Sequence, residues 1–239
     1  MDGERWRLAQ QYEKEWWLSR QDHIDFDFYR AYAAEMIEQM KPVMVIGPAT
    51  SVLEIGSGAG GIITFLNANE RYAVDPLEDF YSSVPAFQAQ RDPRVLYRKA
   101  KAERLPFEDN RFDLVICDNV LDHCDDVQAS FKEMHRVLTK NGKIYLRVNR
   151  YTVWGKLIRL LAEGMRIDPG HPHTFTAGSM KTYFNRCGLR VLKTAESGFF
   201  TNWIKELRSG AAKEWMKALT LSTPNKTMFL LAKADKGCS

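Results

Sequence analysis

The 239-residue chain contains no uninterrupted apolar run that approaches membrane-spanning length. Its start, Met1-Asp2-Gly3-Glu4-Arg5, lacks the apolar stretch of a secretory leader. These absences lead to the expectation of a cytoplasmic protein without an integral membrane segment. Cysteine is sparse. The four residues, Cys117, Cys124, Cys187 and Cys238, show no paired metal spacing, so free thiols in a reducing compartment are the plain expectation. An excess of one charge is also missing: 34 basic against 30 acidic residues leave +4. That balance does not call for a nucleic-acid partner, and it leaves an anionic small molecule open as substrate. Repeats and low-complexity tracts are absent. With 45% hydrophobic and 27% charged residues, the chain reads as one globular domain long enough for a substantial core. The oligomeric state is not legible.

What is present concentrates in Ser51-Val52-Leu53-Glu54-Ile55-Gly56-Ser57-Gly58-Ala59-Gly60-Gly61, followed by the apolar Ile62-Ile63-Thr64-Phe65-Leu66. This reads as a buried strand, a tight turn and a helix start. Gly56 and Gly58 permit a sharp turn and close approach of a ligand, and the first N–H groups of the helix point into the same space. Gly56-x-Gly58-x-x-Gly61 also satisfies the dinucleotide fingerprint, so an NAD(P)-dependent oxidoreductase is a rival reading. Glu54 argues against it. A carboxylate two residues before the first glycine is costly to bury without a partner, and either a cationic ligand or backbone donors of the loop would supply one.

Further segments follow in order. Tyr72-Ala73-Val74-Asp75-Pro76 reads as a second strand ending in an acid placed to take both ribose hydroxyls. Then come Ala102-Glu103-Arg104-Leu105-Pro106-Phe107, Phe112-Asp113-Leu114-Val115-Ile116, Asn119-Val120-Leu121-Asp122-His123, and Glu133 through Lys143 with its Asn141-Gly142 turn. The ordered set, over about residues 50–150, resembles the class I S-adenosylmethionine-dependent methyltransferases, in particular their small-molecule, type 11-like branch. The resemblance implies a methyltransferase that transfers a methyl group from S-adenosyl-L-methionine to a small-molecule acceptor by in-line displacement, releasing S-adenosyl-L-homocysteine. It also implies a Rossmann-like, doubly wound, seven-stranded, mostly parallel α/β sheet whose last strand is antiparallel. Cofactor candidates on this basis are Glu54, Gly56, Ser57, Gly58, Asp75, Pro76, Ala102, Glu103, Asp118 and Asn119. One position departs from the pattern. Many relatives carry Asp before the Ala-Glu pair as the adenine acceptor, whereas here it is Lys101, and Glu103 becomes the substitute acceptor.

Alternating patterns place strands near 51–55, 70–74, 94–98, 112–117, 143–149, 189–196 and 227–234, and helices near 60–68, 77–89 and 126–139. Around a cofactor core at 46–150, a helical cap at 1–45 and two helical insertions at 151–175 and 197–225 are expected to roof the methyl group. The first insertion carries Val153, Trp154, Leu157, Ile158, Leu161 and Met165 at helical spacing, opposed by Lys156, Arg159 and Arg166; the second repeats the pattern with Phe200, Trp203, Ile204, Leu207, Ala211 and Trp215. A membrane-surface helix is one reading; a lid with its apolar face packed on the domain is the expected one.

His123, just beyond the fourth strand, is the general-base candidate, with a purely structural hydrogen bond as its plain alternative. Asp168-Pro169-Gly170-His171-Pro172-His173 offers only two firm ligands, so no metal site is expected. An ordered turn at the pocket mouth is preferred there. Tyr12, Arg150, Trp154, His171 and His173 are the substrate-contact candidates, and an aromatic residue of the cap is placed to cover the sulfonium by cation–π attraction. A non-catalytic protein keeping the methyltransferase fold is the third reading.

Overall fold

The computed structural model describes residues 3–21, 26–164 and 173–234. Helices α1 (Gly3–Leu18) and α2 (Asp27–Met40) precede the strands. Among the described residues, β1 (Ser51–Ile55), β2 (Glu70–Asp75), β3 (Leu96–Lys99), β4 (Phe112–Asp118), β5 (Leu138–Arg150), β6 (Leu189–Ser197) and β7 (Asn225–Lys233) form one sheet. Its order is β3-β2-β1-β4-β5-β7-β6. All pairs from β3 to β5 are parallel, and β7 runs antiparallel between β5 and β6. This is the Rossmann-like methyltransferase sheet. Chain order reverses between β1 and β4, which opens a crevice at their carboxyl ends.

Period-two alternation sorts the strand residues between two cores. Leu53, Ile55, Val115 and Cys117 face Phe131 and Met134 of α5 (Val127–Val137) and Phe184 of α7 (Ala177–Arg186). Val52, Leu114 and Ile116 face Met36 and Met40 of α2, Ile62, Ile63, and the rings of Tyr81 and Phe87. The helix α5 begins where Asp126 accepts a hydrogen bond from Ala129 N at 3.0 Å, a cap worth about 1 kcal/mol. Thr176 and Ser179 close a capping box at the start of α7.

Two expected helices differ. The segment 60–68 makes only a 3-10 turn, Ile62–Phe65. The carboxylate of Glu54 takes the Ile62 and Ile63 N–H groups, and the buried Arg71 guanidinium takes the Ile63 and Thr64 carbonyls at 3.0 and 3.3 Å. The acceptors that a longer helix needs are thus already used. The segment 77–89 divides into α3 (Glu78–Ser83) and α4 (Pro85–Gln88), because Pro85 has no N–H to continue the ladder.

The insertions also depart from expectation. Their described residues form α6 (Val153–Gly164), α8 (Phe199–Arg208) and α9 (Ala212–Leu219), which lean on one another, and among the described residues the insertions supply none of the crevice lining. Trp154 Nε1 donates to Thr220 O at 2.8 Å, and Trp203 Nε1 donates to Ala218 O at 3.0 Å. Much of their apolar face stays exposed: Val153 is 81% and Phe200 75% accessible. The cap does the roofing.

Candidate active site

A cavity of about 560 Å³ lies over the carboxyl ends of β1, β2 and β4, within the ~300–1,000 Å³ common for small-molecule sites. Its floor is the loop after β1. Gly56 has φ +70°, and a Cβ there would lie 2.3 Å from the Val120 side chain; Gly58 has φ +57°, and a Cβ would meet Tyr29 Oη at 2.9 Å and Trp17 at 3.1 Å. The glycines are therefore required by the chain's own neighbours as well as by left-handed backbone. Tyr29 Oη donates to Ser57 O at 3.2 Å, tying the cap to the loop.

The donors expected to meet a ligand are occupied by carboxylates. Glu54 Oε1 and Oε2 accept from Ile62 N and Ile63 N at 3.0 and 2.8 Å. Of the two partners conceivable for Glu54, the chain thus supplies backbone donors itself. Asp75 Oδ2 accepts from Gly58 N at 3.0 Å, and Oδ1 from Leu77 N at 2.8 Å. Burial pushes Glu54 up to about 8 and Asp75 up to about 6, while those N–H donors pull both down. Asp118, at the tip of β4, is also raised by burial, with the Arg147 guanidinium 2.7 Å from Oδ1 opposing the shift. Its Oδ2 is buried without a hydrogen-bond partner among the described residues. Glu13 of α1 joins this acidic lining and accepts from Trp17 Nε1 at 2.9 Å.

The strand order gives the cavity two ends. Pro76, Leu77, Ala100, Lys101, Ala102 and Glu103 line the β2–β3 end. There Lys101 Nζ sits 3.4 Å from the Trp6 ring centre. Glu103 Oε1 accepts from Asp125 N and Asp126 N at 2.6 and 3.2 Å, so this oxygen is already holding the loop before α5. At the β4–β5–β7 end stand Asn119, His123, Arg147, Asn149 and Lys226. Asn149 Nδ2 donates to Asn119 Oδ1 at 2.8 Å, and Arg147 lies over the Tyr32 ring at 4.1 Å. His123 Nε2 is 3.9 Å from Asp122 Oδ1.

Of the residues singled out in the sequence, Glu54, Gly56, Gly58, Asp75, Pro76, Ala102, Glu103, Asp118, Asn119, His123 and Tyr12 line this cavity. Ser57 is buried beside it. Arg150, Trp154 and His173 are not in its lining: Arg150 pairs with Glu196, Trp154 is bound to Thr220, and His173 Nε2 contacts Cys124 O at 2.9 Å. His171 lies outside the described residues. Among the described residues, no group of three His, Cys, Asp or Glu is placed to hold a metal.

Glu13, Arg147, Asn149 and Lys226 of the lining escaped the sequence reading, and so did Arg91 beneath it. Buried Arg91 grips Glu78 with Nη1 and Nη2 at 2.7 and 2.9 Å, donates to Ala59 O at 2.7 Å, and lies 3.9 Å from the Tyr97 ring centre. Tyr97 Oη in turn donates to Gly60 O at 2.8 Å. Together they clamp the glycine loop from below. An arginine in a loop after α4 gives no local signal of this.

Fold and cavity define a doubly wound α/β domain whose glycine loop is lined with acids. Residues 53–146 match the family model described as a methyltransferase domain. The uncharacterized methyltransferase YcgJ of Bacillus subtilis (strain 168) is 31% identical over 103 residues, covering 42% of this chain and 40% of that protein. Its crystal structure superposes with a TM-score of 0.62 at 20% identity over 87% of this chain and 100% of that one. The ubiquinone/menaquinone biosynthesis C-methyltransferase UbiE of Rhizobium rhizogenes (strain K84 / ATCC BAA-868) is 27% identical over 130 residues, 52% of this chain and 50% of that protein. Geranyl diphosphate C-methyltransferase from Streptomyces coelicolor A3(2), solved with Mg2+, geranyl diphosphate and S-adenosyl-L-homocysteine, gives a TM-score of 0.65 at 14% identity over 86% of this chain and 79% of that one. The chain spans about half the length of the curated relatives it matches. Residues 53–146 thus carry a methyltransferase domain, and the fold is the one shared with these solved methyltransferases.

Proposed function

We propose that the protein transfers a methyl group from S-adenosylmethionine to a small-molecule acceptor. One observation carries this reading: the N–H groups that a phosphate would need at the glycine loop are held by Glu54 and Asp75. What remains is an acidic cavity suited to a guest that is cationic and free of phosphate, which disfavours the oxidoreductase reading. The buried, unpartnered Oδ2 of Asp118 asks for a donor such as an ammonium. Asp75, with lone pairs left on both oxygens, is our candidate for the ribose hydroxyls, and the backbone at Ala102 for the adenine edge. Bound there, the cofactor supplies an electrophilic methyl group on sulfur. The chain's own contribution is to bind, orient and exclude water, with alignment supplying much of the rate.

The acceptor is assigned to the end lined by Tyr12, Phe28, Tyr32, Asn119, His123 and Asn149. There His123 is the candidate base for a hydroxyl acceptor. The relatives named for quinone and prenyl substrates support a small acceptor. Calorimetry of the purified chain against S-adenosylhomocysteine and, separately, NADH tests the reading. Binding of the first and none of the second is expected; the reverse order would sink it.

A further inference from the structure

Three amphipathic helices, α6, α8 and α9, leave their apolar faces uncovered. Val153 and Trp154 on α6, Phe200 and Ile204 on α8, and Trp215 and Leu219 on α9 are all exposed. The faces adjoin. Trp154 Nε1 reaches Thr220 O just past α9, and Trp215 Nε1 reaches Leu207 O of α8 at 2.9 Å. With their N–H groups already bonded inside the protein, both indoles can enter an apolar medium without losing a hydrogen bond. Isolated exposed apolar residues are ordinary, but an adjoining set of this size on one side marks an interaction surface.

The charge around the faces selects the partner. Across 153–164 and 199–219 there are six basic residues (Lys156, Arg159, Lys205, Arg208, Lys213, Lys217) and three acidic ones (Glu163, Glu206, Glu214). Two of the acids are engaged within the protein: Glu206 is buried against Thr223, and Glu214 is paired with Lys217 at 3.0 Å. Lys205 and Arg208 are exposed beside the apolar face. Basic residues flanking exposed Trp, Phe and Leu are the pattern of helices that lie in a bilayer interface. Among the described residues, no helix is long and apolar enough to cross one. The 12-residue α6 spans about 18 Å, suited to lying in the plane.

Topology relates this face to the cavity. The helix α6 leaves the carboxyl end of β5, and α8 and α9 join the end of β6 to the start of β7. That is the edge where Asn149 and Lys226 line the acceptor end. We propose that the outer face of α6, α8 and α9 docks reversibly on an anionic phospholipid bilayer, which brings the acceptor end of the cavity to the lipid surface.

Flotation of the full chain with vesicles tests this, independently of catalysis. Vesicles of phosphatidylcholine alone are compared with vesicles that also contain phosphatidylglycerol. Binding to the anionic vesicles at least about tenfold tighter, and weakened by salt, is expected. The pair Lys205→Glu and Arg208→Glu should lower anionic binding about tenfold or more, towards the neutral level. The pair Phe200→Ser and Trp215→Ser should weaken binding to both kinds of vesicle. Thermal melting checks that each variant folds, and because the charge pair lies on the surface, it reports even if the apolar pair does not fold. Equal binding to both vesicles, no binding, or a self-associating chain that ignores vesicles would each overturn the proposal.

Discussion

Replacing Glu54 by glutamine perturbs the electrostatics on which the site is built. In the native chain the carboxyl is 3% exposed, and burial lifts its pKa from 4.5 to about 8. A carboxyl that holds its proton more tightly folded than unfolded contributes most stability below pH 4.5, and that contribution is lost as the pH climbs through about 8. At about 1.4 kcal/mol per pH unit, the interval from 4.5 to about 8 amounts to about 5 kcal/mol. That is a large share of the ~5–15 kcal/mol that holds a typical domain together. Asp75 adds a slope of the same sign between 3.8 and about 6. Glutamine does not titrate and keeps one acceptor oxygen for two N–H groups, a pH-independent cost of about 1–3 kcal/mol. Urea denaturation across this pH range should therefore give crossing curves. Native protein is the more stable at the acid end, and Glu54→Gln is the more stable at the alkaline end, where its remaining slope has vanished. Parallel curves would refute the placement of a buried, proton-binding carboxyl beneath the glycine loop.

Asp75→Ala removes the proposed ribose partner and should weaken S-adenosylhomocysteine binding by about 1.5–3 kcal/mol, read by calorimetry; unchanged affinity rejects the role. His123→Ala separates base from scaffold: a base predicts a fall in kcat of about 10²–10⁴ with cofactor affinity retained, whereas a structural hydrogen bond predicts little change in kcat. Arg91→Ala leaves Glu78 buried without its partner, at a cost of about 3–5 kcal/mol in urea denaturation. Pairing it with Glu78→Leu should recover most of that loss, and a cost below about 1 kcal/mol, as for an exposed pair, would rule out the clamp.

The sheet was largely legible because each strand is a short apolar run bounded by turn residues, and β1, β2 and β4 stand within a residue or so of their expected positions. Three of the lining acids, Glu54, Asp75 and Asp118, were legible for a local reason as well, since each ends or precedes the end of a strand; Glu13 of α1 was not. Less legible were features set by distant partners. The helix expected after the glycines stops after one turn because Arg71, paired with Asp92 at 2.7 Å, removes its carbonyl acceptors. Arg91 reaches Gly58 and Ala59 from more than thirty residues away. Apolar periodicity in 153–164 and 199–219 correctly indicated amphipathic helices, but periodicity reports only that a face is apolar. It does not say whether protein, ligand or membrane covers that face, and the expected packing on the domain did not follow.

The glycine spacing itself carries little ligand information, and the physical reason lies in who uses the loop's hydrogen-bond donors. In a dinucleotide site those N–H groups await a pyrophosphate. Here Gly58 N, Ile62 N and Ile63 N already donate to the chain's own carboxylates. A phosphate charge about 4 Å from the Asp75 carboxylate, ionised above about pH 6, would meet a repulsion of about 4 kcal/mol at an effective dielectric constant near 20, close to a thousandfold in affinity. An ammonium or sulfonium at the same distance gains what the phosphate loses. The preference is thus written by the residue two before the first glycine, which occupies the loop's donors, and by the charge of the acid at the tip of β2, while the glycines only give the backbone room to bring both carboxyl groups to the same loop.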